Sequence, residues 1–155
     1  MLIIRTTVRP SSIHGLGLFA DQKILQGAII WVMHKNLDQI ISEEQWHVLP
    51  MPAKECLHTF MYWSRLKNNY VICLDNARYM NHSVIANTKT VFYERHDKIP
   101  EILRVSCGLS EKQWAQVDLS EGFTVATKNI EISEELLCNY VIDFPDQGSA
   151  HTQDF

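Results

Sequence analysis

Apolar and polar positions alternate along this chain in short bursts, and few of them last long enough for a long helix. Residues 2–8 carry β-branched side chains and run toward Pro10, which predicts a first strand closed by a turn. The unbroken apolar run at 28–33, Ala-Ile-Ile-Trp-Val-Met, predicts a buried strand, and so does Tyr-Val-Ile-Cys-Leu at 70–74. Further strands are expected over 89–95, 122–127 and the apolar stretch 135–141, with turns at 21–27 and 129–133. Helical signals are brief. Ser42-Glu-Glu-Gln45 has the capping-box pattern and predicts a helix through about Leu49. Pro50 and Pro52 break it, and Pro52 suits the first turn of a second helix through about Phe60. Phe60-Met-Tyr-Trp63 adds aromatic bulk assigned to the core. Ser110-Glu-Lys-Gln113 repeats the capping box and opens a short helix around Trp114, in an otherwise irregular segment. Many short strands with small helices between them predict a β-rich α+β domain. No internal repeat is visible.

Length and composition narrow the function classes. The 155 residues suit one domain with a real core. A composition of 46% hydrophobic and 21% charged residues is that of an ordinary globular protein. A net charge of -4, without a basic stripe, argues against direct nucleic-acid binding and is compatible with a basic peptide partner. The longest apolar run is too short to span a bilayer as a helix. The four cysteines, Cys56, Cys73, Cys107 and Cys138, form no Cys-x-x-Cys pair, so zinc-site spacing is absent. Met1-Leu-Ile-Ile4 is too short for a secretory apolar region. Free thiols in a reducing cytoplasm are the expectation. His47 and His58 fall on helices with no cysteine or carboxylate at ligand spacing, which favours surface or packing roles over metal.

The candidate chemistry centres on residues 75–87, Asp-Asn-Ala-Arg-Tyr-Met-Asn-His-Ser-Val-Ile-Ala-Asn. Asn81-His82-Ser83 sets three hydrogen-bonding side chains in a row just after an apolar strand. Buried polar groups need partners, so a polar ligand pocket is one explanation. An Asn/Ser turn at a short helix is the other. Upstream, Gly15-Leu-Gly17 either makes a plain turn or lets a ligand approach the backbone. It lacks the third glycine and the following helix of a dinucleotide fingerprint.

Three ordered motifs then resemble one family. Ile13-His-Gly-Leu-Gly-Leu-Phe-Ala20 is similar to the first motif of SET domains. Ala77-Arg-Tyr-Met-Asn-His-Ser83, with Asn87 after it, resembles the family's Arg-Phe-Ile-Asn-His-Ser-Cys-x-Pro-Asn. Asn129-Ile-x-x-Ser-Glu-Glu-Leu-x-x-Asn-Tyr140 resembles Asp-Ile-x-x-Gly-Glu-Glu-Leu-x-x-Asp-Tyr. The likeness runs over about residues 10–142 and is strongest to short, single-domain bacterial SET proteins without the zinc-binding post-SET segment. It implies a β-clip fold of small sheets with a C-terminal pseudoknot and short inserted helices. The SET domain would occupy 1–143, with variable inserts near 34–69 and 96–121 and a flexible tail over 144–155.

The resemblance also implies chemistry. The cofactor would be S-adenosyl-L-methionine, leaving as S-adenosyl-L-homocysteine, and the acceptor a lysine of a protein or peptide; no metal is required. His14, Gly15, Leu16 and Gly17 would cradle the methionine part of the cofactor. Asn81 would bond it, His82 would offer main-chain contacts toward the adenine, and Arg78 would be a wall or a contact. Tyr140 would be the catalytic tyrosine, although without the motif a core aromatic with a satisfied hydroxyl is the preferred reading. Met33, Tyr79, Cys138 and Phe144 would line the substrate channel, and Glu135 would tie the pseudoknot together. Departures from the family pattern include Val84 for Cys, Ala86 for Pro and Ser133 for a turn glycine. Met33 lies where many members carry a channel tyrosine, and small Cys138 leaves room for dimethyl or trimethyl product. Because no cysteine cluster closes the channel, Phe144 and the tail or a second subunit would have to; a dimer is compatible with this. The competing expectation is a catalytically weak SET module that binds cofactor or peptide as an interaction domain. A metal or redox protein built on the histidines and cysteines is the third and least supported by spacing.

Overall fold

Strand β3, Ile29–His34, is buried along its first five residues, and the rest of the chain packs on both of its faces. The computed structural model describes residues 1–64, 67–93 and 99–143. Ile30, Trp31 and Met33 join one core cluster with Leu18, Ala20, Met80 and Leu136. Ile29 and Val32 join a second cluster with Trp114, Val117 and Phe123. A strand covered on both faces needs apolar side chains throughout, which is why the run at 28–33 shows no alternation. Register shifts against β9, Val117–Ala126, also break strict alternation.

β3 pairs antiparallel with β9, and β9 with β8, Thr88–Val91, giving the order β3-β9-β8. A second sheet has the order β4-β6-β5, with β4 at Gln39–Ile41, β5 at Met61–Ser64 and β6 at Asn69–Ile72. β1, Thr6–Pro10, and β2, Leu16–Ala20, form a hairpin in which Pro10 faces Leu16. Two residues of β7, Asn81–His82, run parallel to two of β10, Leu137–Cys138. Small sheets with few short helices make the mixed α+β architecture expected from the pattern.

Both capping boxes form. In α1, Glu43–His47, the Gln45 amide donates to Ser42 Oγ at 3.1 Å and the Ser42 amide to Gln45 Oε1 at 2.9 Å. Ser110 and Gln113 repeat this at α4, Glu111–Trp114. α2, Met51–Leu57, has Pro52 in its first turn and ends in a 3-10 turn, His58–Phe60. Phe60 closes that turn, and Met61, Tyr62 and Trp63 open β5.

The structure corrects four expected elements. The first strand begins at Thr6; before it, Leu2 makes only an isolated bridge to Trp31. The expected strand over 135–141 shrinks to β10. The chain then turns into α5, Tyr140–Asp143, because the Asp143 carboxylate accepts from the Asn139 amide at 3.2 Å and from the Thr90 amide at 2.9 Å. Val141 and Ile142 are thereby left exposed. An unanticipated helix, α3 at Glu101–Ser106, occupies the segment read as irregular. Its Ile102 and Val105 face solvent while Leu103 packs inward, so no amphipathic period announced it. The strand expected over 89–95 stops at Val91, and its residues 94–95 lie outside the described residues, as do Phe144 and the tail.

Among the described residues no helix is long and apolar enough to cross a membrane. All four cysteines are free thiols, with Cys73 and Cys138 buried.

Candidate active site

The stretch 75–87 resolves into a capped turn and a short strand. Asp75 accepts the Ala77 amide at 2.9 Å and so caps the 3-10 turn Asn76–Tyr79; its other oxygen accepts the Leu2 amide at 2.6 Å. The turn delivers Met80 into the core and sets Asn81 and His82 in β7, against β10. Of the two sequence readings, the turn belongs to 76–79, while Asn81 and His82 serve a strand pairing.

Asn81 is the hub. Its Nδ2 donates toward His14 O and Leu16 O, both at 3.1 Å, and Glu135 Oε1 at 2.9 Å. Three oxygens around that atom fix the amide orientation. Glu135 Oε2 accepts from Ser11 Oγ at 2.9 Å, and Ser11 Oγ accepts the Ile13 amide at 2.9 Å. The loop between β1 and β2 is therefore held at both ends by one carboxylate. Gly15 turns it with φ +44°, and the Ser11 amide donates to Gly15 O at 3.0 Å. Gly17 is required for a different reason: a Cβ there would lie 2.2 Å from Glu135 Oε1. His14, Gly15 and Leu16 stay exposed, so their backbone is open to a ligand. Among the described residues no donor reaches Asn81 Oδ1.

His82 and Tyr140 form the second half of the site. The Tyr140 amide donates to His82 Nδ1 at 3.0 Å, which places the imidazole proton on Nε2. The rings lie 5.3 Å apart. Tyr140 OH donates to Met80 O at 2.5 Å, so the hydroxyl proton is committed and its oxygen faces other groups as an acceptor. Burial, reinforced by Cys138, raises the Tyr140 pKa, and the phenol stays neutral. Burial, followed by Asp143, likewise raises that of the Cys138 thiol. Buried Asn87 locks the strand crossing: its Nδ2 donates to Glu135 O at 2.8 Å and its Oδ1 accepts the Leu137 amide at 2.9 Å.

The SET domain family profile matches residues 15–141. This chain belongs to the SET-domain family. Among solved structures, a Plasmodium falciparum protein provisionally named a histone methyltransferase aligns with TM-score 0.54 at 21% identity, over 88% of this chain and 93% of its own. A humanized mutant of the Chaetomium thermophilum Polycomb Repressive Complex 2, bound to the inhibitor GSK126, aligns with TM-score 0.57 at 18% identity over 92% of this chain. An apo form of that complex with substitutions in Ezh2 gives TM-score 0.59 at 17% identity over 96%. This SET domain spans only 15% and 16% of those two chains, and at such identities the likeness concerns the fold. Comparison with curated proteins gives no match.

Within this SET domain the other sequence candidates fall as follows. Met33 is fully buried in the first core cluster, against which Tyr79 and Tyr140 pack and to which Cys138 belongs. Arg78 sits over the Tyr79 and Phe60 rings, 5.2 and 5.5 Å from their centroids, and its buried Nε has no partner among the described residues. It makes a wall beside the Asn-His strand. Ser133, where the family carries glycine, adopts φ +70° and donates its amide to Ala20 O at 2.8 Å. Ser11 was not legible as a site residue; it stands at the edge of the first motif.

Proposed function

We propose that this SET domain transfers methyl groups from S-adenosyl-L-methionine to the side-chain amine of lysine in a protein substrate. The observation that carries this reading is the convergence at Asn81, whose amide ties the exposed residues 14–16 to the strand pair that leads to His82 and Tyr140. Asn81 Oδ1 and the backbone of 14–17 suit the ammonium and carboxylate of an amino-acid-like cofactor, with His82 and Arg78 beside them. When bound, that cofactor supplies an electrophilic methyl group.

The chain's own task is alignment and a neutral amine. In-line geometry alone is worth ~7–11 kcal/mol. A lysine with its ordinary pKa of about 10.4 costs roughly 4–5 kcal/mol to present neutral near pH 7. An apolar wall of Met33, Met80 and Cys138 lowers that cost by desolvating the ammonium. Tyr140, its proton held by Met80 O, accepts an amine N–H and turns the nitrogen lone pair toward the methyl group. A neutral phenol serves this purpose, and Tyr140 does not act as a base.

We further propose that the domain works in a reducing cytoplasm. The test is labelled-cofactor methylation of lysate from the source organism, followed by mass spectrometric location of the modified residue. Labelled lysine supports the reading; cofactor binding in calorimetry without any labelled protein favours an interaction module instead.

A further inference from the structure

A buried carboxylate, Glu121, stands against Tyr62 and Ser64 of β5. Glu121 is 6% exposed; its Oε1 accepts from Ser64 Oγ at 2.7 Å and its Oε2 from Tyr62 OH at 3.3 Å. Among the described residues no lysine, arginine or histidine stands at ion-pair distance from it. Lys67 is bonded to Asp118 at 2.9 Å. Burial raises the Glu121 pKa despite the two hydroxyls and the more distant Lys67. A buried charge held only by neutral donors is costly, and such a site gains from an arriving cation.

The backbone explains its position. In the β3–β9 ladder Val32 faces Phe123 but Met33 faces Asp118, so residues 119–122 bulge out of register. Gly122 permits this with φ +71°, at a point where a Cβ would fall 2.5 Å from Val91 O. The excursion brings Glu121 to Tyr62 and Ser64 of β5. The Tyr62 ring packs on the cluster that contains Met33, Cys73, Met80 and Cys138, as does Tyr140. Burial raises the pKa of both tyrosines; beyond burial, Cys73 acts on Tyr62 and Cys138 on Tyr140.

We propose that Tyr62 and Glu121 form an ammonium-binding subsite that receives the acceptor lysine and takes up its proton. This rests on the methyltransferase reading. An N–H bond of the ammonium breaks as its proton passes to Tyr62 O, while the Tyr62 O–H proton passes to Glu121 Oε2. The lysine is left as a neutral amine, Tyr62 is unchanged, and Glu121 becomes a carboxylic acid that loses its proton to solvent after product leaves. Low dielectric favours the neutral pair over the ion pair, because burial raises an acid's pKa and lowers an ammonium's. Tyr62 touches the amine; Glu121 is a positioning residue acting through it.

The experiment has two arms. In the first, n-butylammonium, a mimic of the lysine side chain, is titrated into the full chain with S-adenosyl-L-homocysteine present. Wild type should bind it, and near-isosteric E121Q and Y62F should each weaken binding at least tenfold. No binding by wild type, or equal binding by both variants, overturns the subsite. In the second arm, wild type and E121Q methylate a mixed core-histone preparation or source lysate with labelled cofactor. E121Q should lower kcat about tenfold near pH 7, leave cofactor KM unchanged, and move the acid limb of the rate profile to higher pH. An unshifted profile overturns the proton step. If wild type transfers no label while butylammonium binding still depends on Glu121, the methyltransferase reading fails and the cation subsite stands. Should E121Q fail to fold, Y62F carries the same expectations.

Discussion

Glu135 Oε1 occupies the space in which a side chain at Gly17 would begin, 2.2 Å from the position of its Cβ. Any side chain at this strand position must displace that carboxylate. Gly17→Ala must push Glu135 aside, breaking its bond to Asn81 and loosening residues 14–17. Overpacking of this kind costs about 1–3 kcal/mol. The expected result is a lower melting temperature together with at least tenfold weaker S-adenosylmethionine binding by calorimetry. A variant that melts lower yet binds normally would separate Glu135 from cofactor binding at residues 14–17.

Tyr140→Phe removes the hydroxyl held by Met80 O and leaves the ring against His82. Cofactor affinity should stay within about twofold, while transfer falls roughly 10²-fold, the scale of a misplaced reacting group. Single-turnover kinetics with labelled cofactor checks it, and equal rates would remove Tyr140 from the chemistry.

Asn87→Ala strips three bonds, to Glu135 O, to Glu134 Oε1 and from the Leu137 amide. Buried groups left unsatisfied cost about 1–3 kcal/mol each. A fall in the urea midpoint with unchanged slope is the expected outcome.

Cys138 is buried and lies opposite His82 in the parallel pair. On the methyltransferase reading a side chain this small beside the acceptor nitrogen admits further methyl groups, so exhaustive turnover should reach dimethyl or trimethyl lysine. Cys138→Phe should confine the product to monomethyl lysine, read by mass spectrometry.

Asp118 and Glu121 give the stability opposite pH dependences. For Asp118 burial alone would raise the pKa, but bonds from Lys67 and Ser120 reverse this and lower it from 3.8 to about 2. Its folded-state value is depressed, so its stabilisation is present above 3.8 and lost as pH falls through about 2. Asp118→Asn should be less stable than wild type at neutral pH, and the gap should close across that acidic window. Glu121 is raised, so its charge costs stability at neutral pH and that cost fades on acidification. Glu121→Gln should therefore melt higher near pH 7. Denaturant midpoints measured against pH test both signs.

Local chemistry wrote much of this protein into its sequence. The capping boxes at Ser42 and Ser110 formed as read, because each is closed within four residues. The apolar run at 28–33 had to be buried on both faces and became β3. The three motifs named the SET family before any contact between them was visible. Tertiary structure alone decided the rest. Asn139 and Asp143 turned an apolar stretch into a short helix, since the bond from the Thr90 amide to Asp143 arrives from a strand far away in the chain. The same holds for the role of Gly17, which depends on Glu135, and for the meeting of Tyr62 with Glu121 across a β9 bulge. Neighbouring residues announce caps, turns and buried strands because those energies are local. Pairings between residues tens of positions apart leave no such mark, and the site is built almost wholly from them.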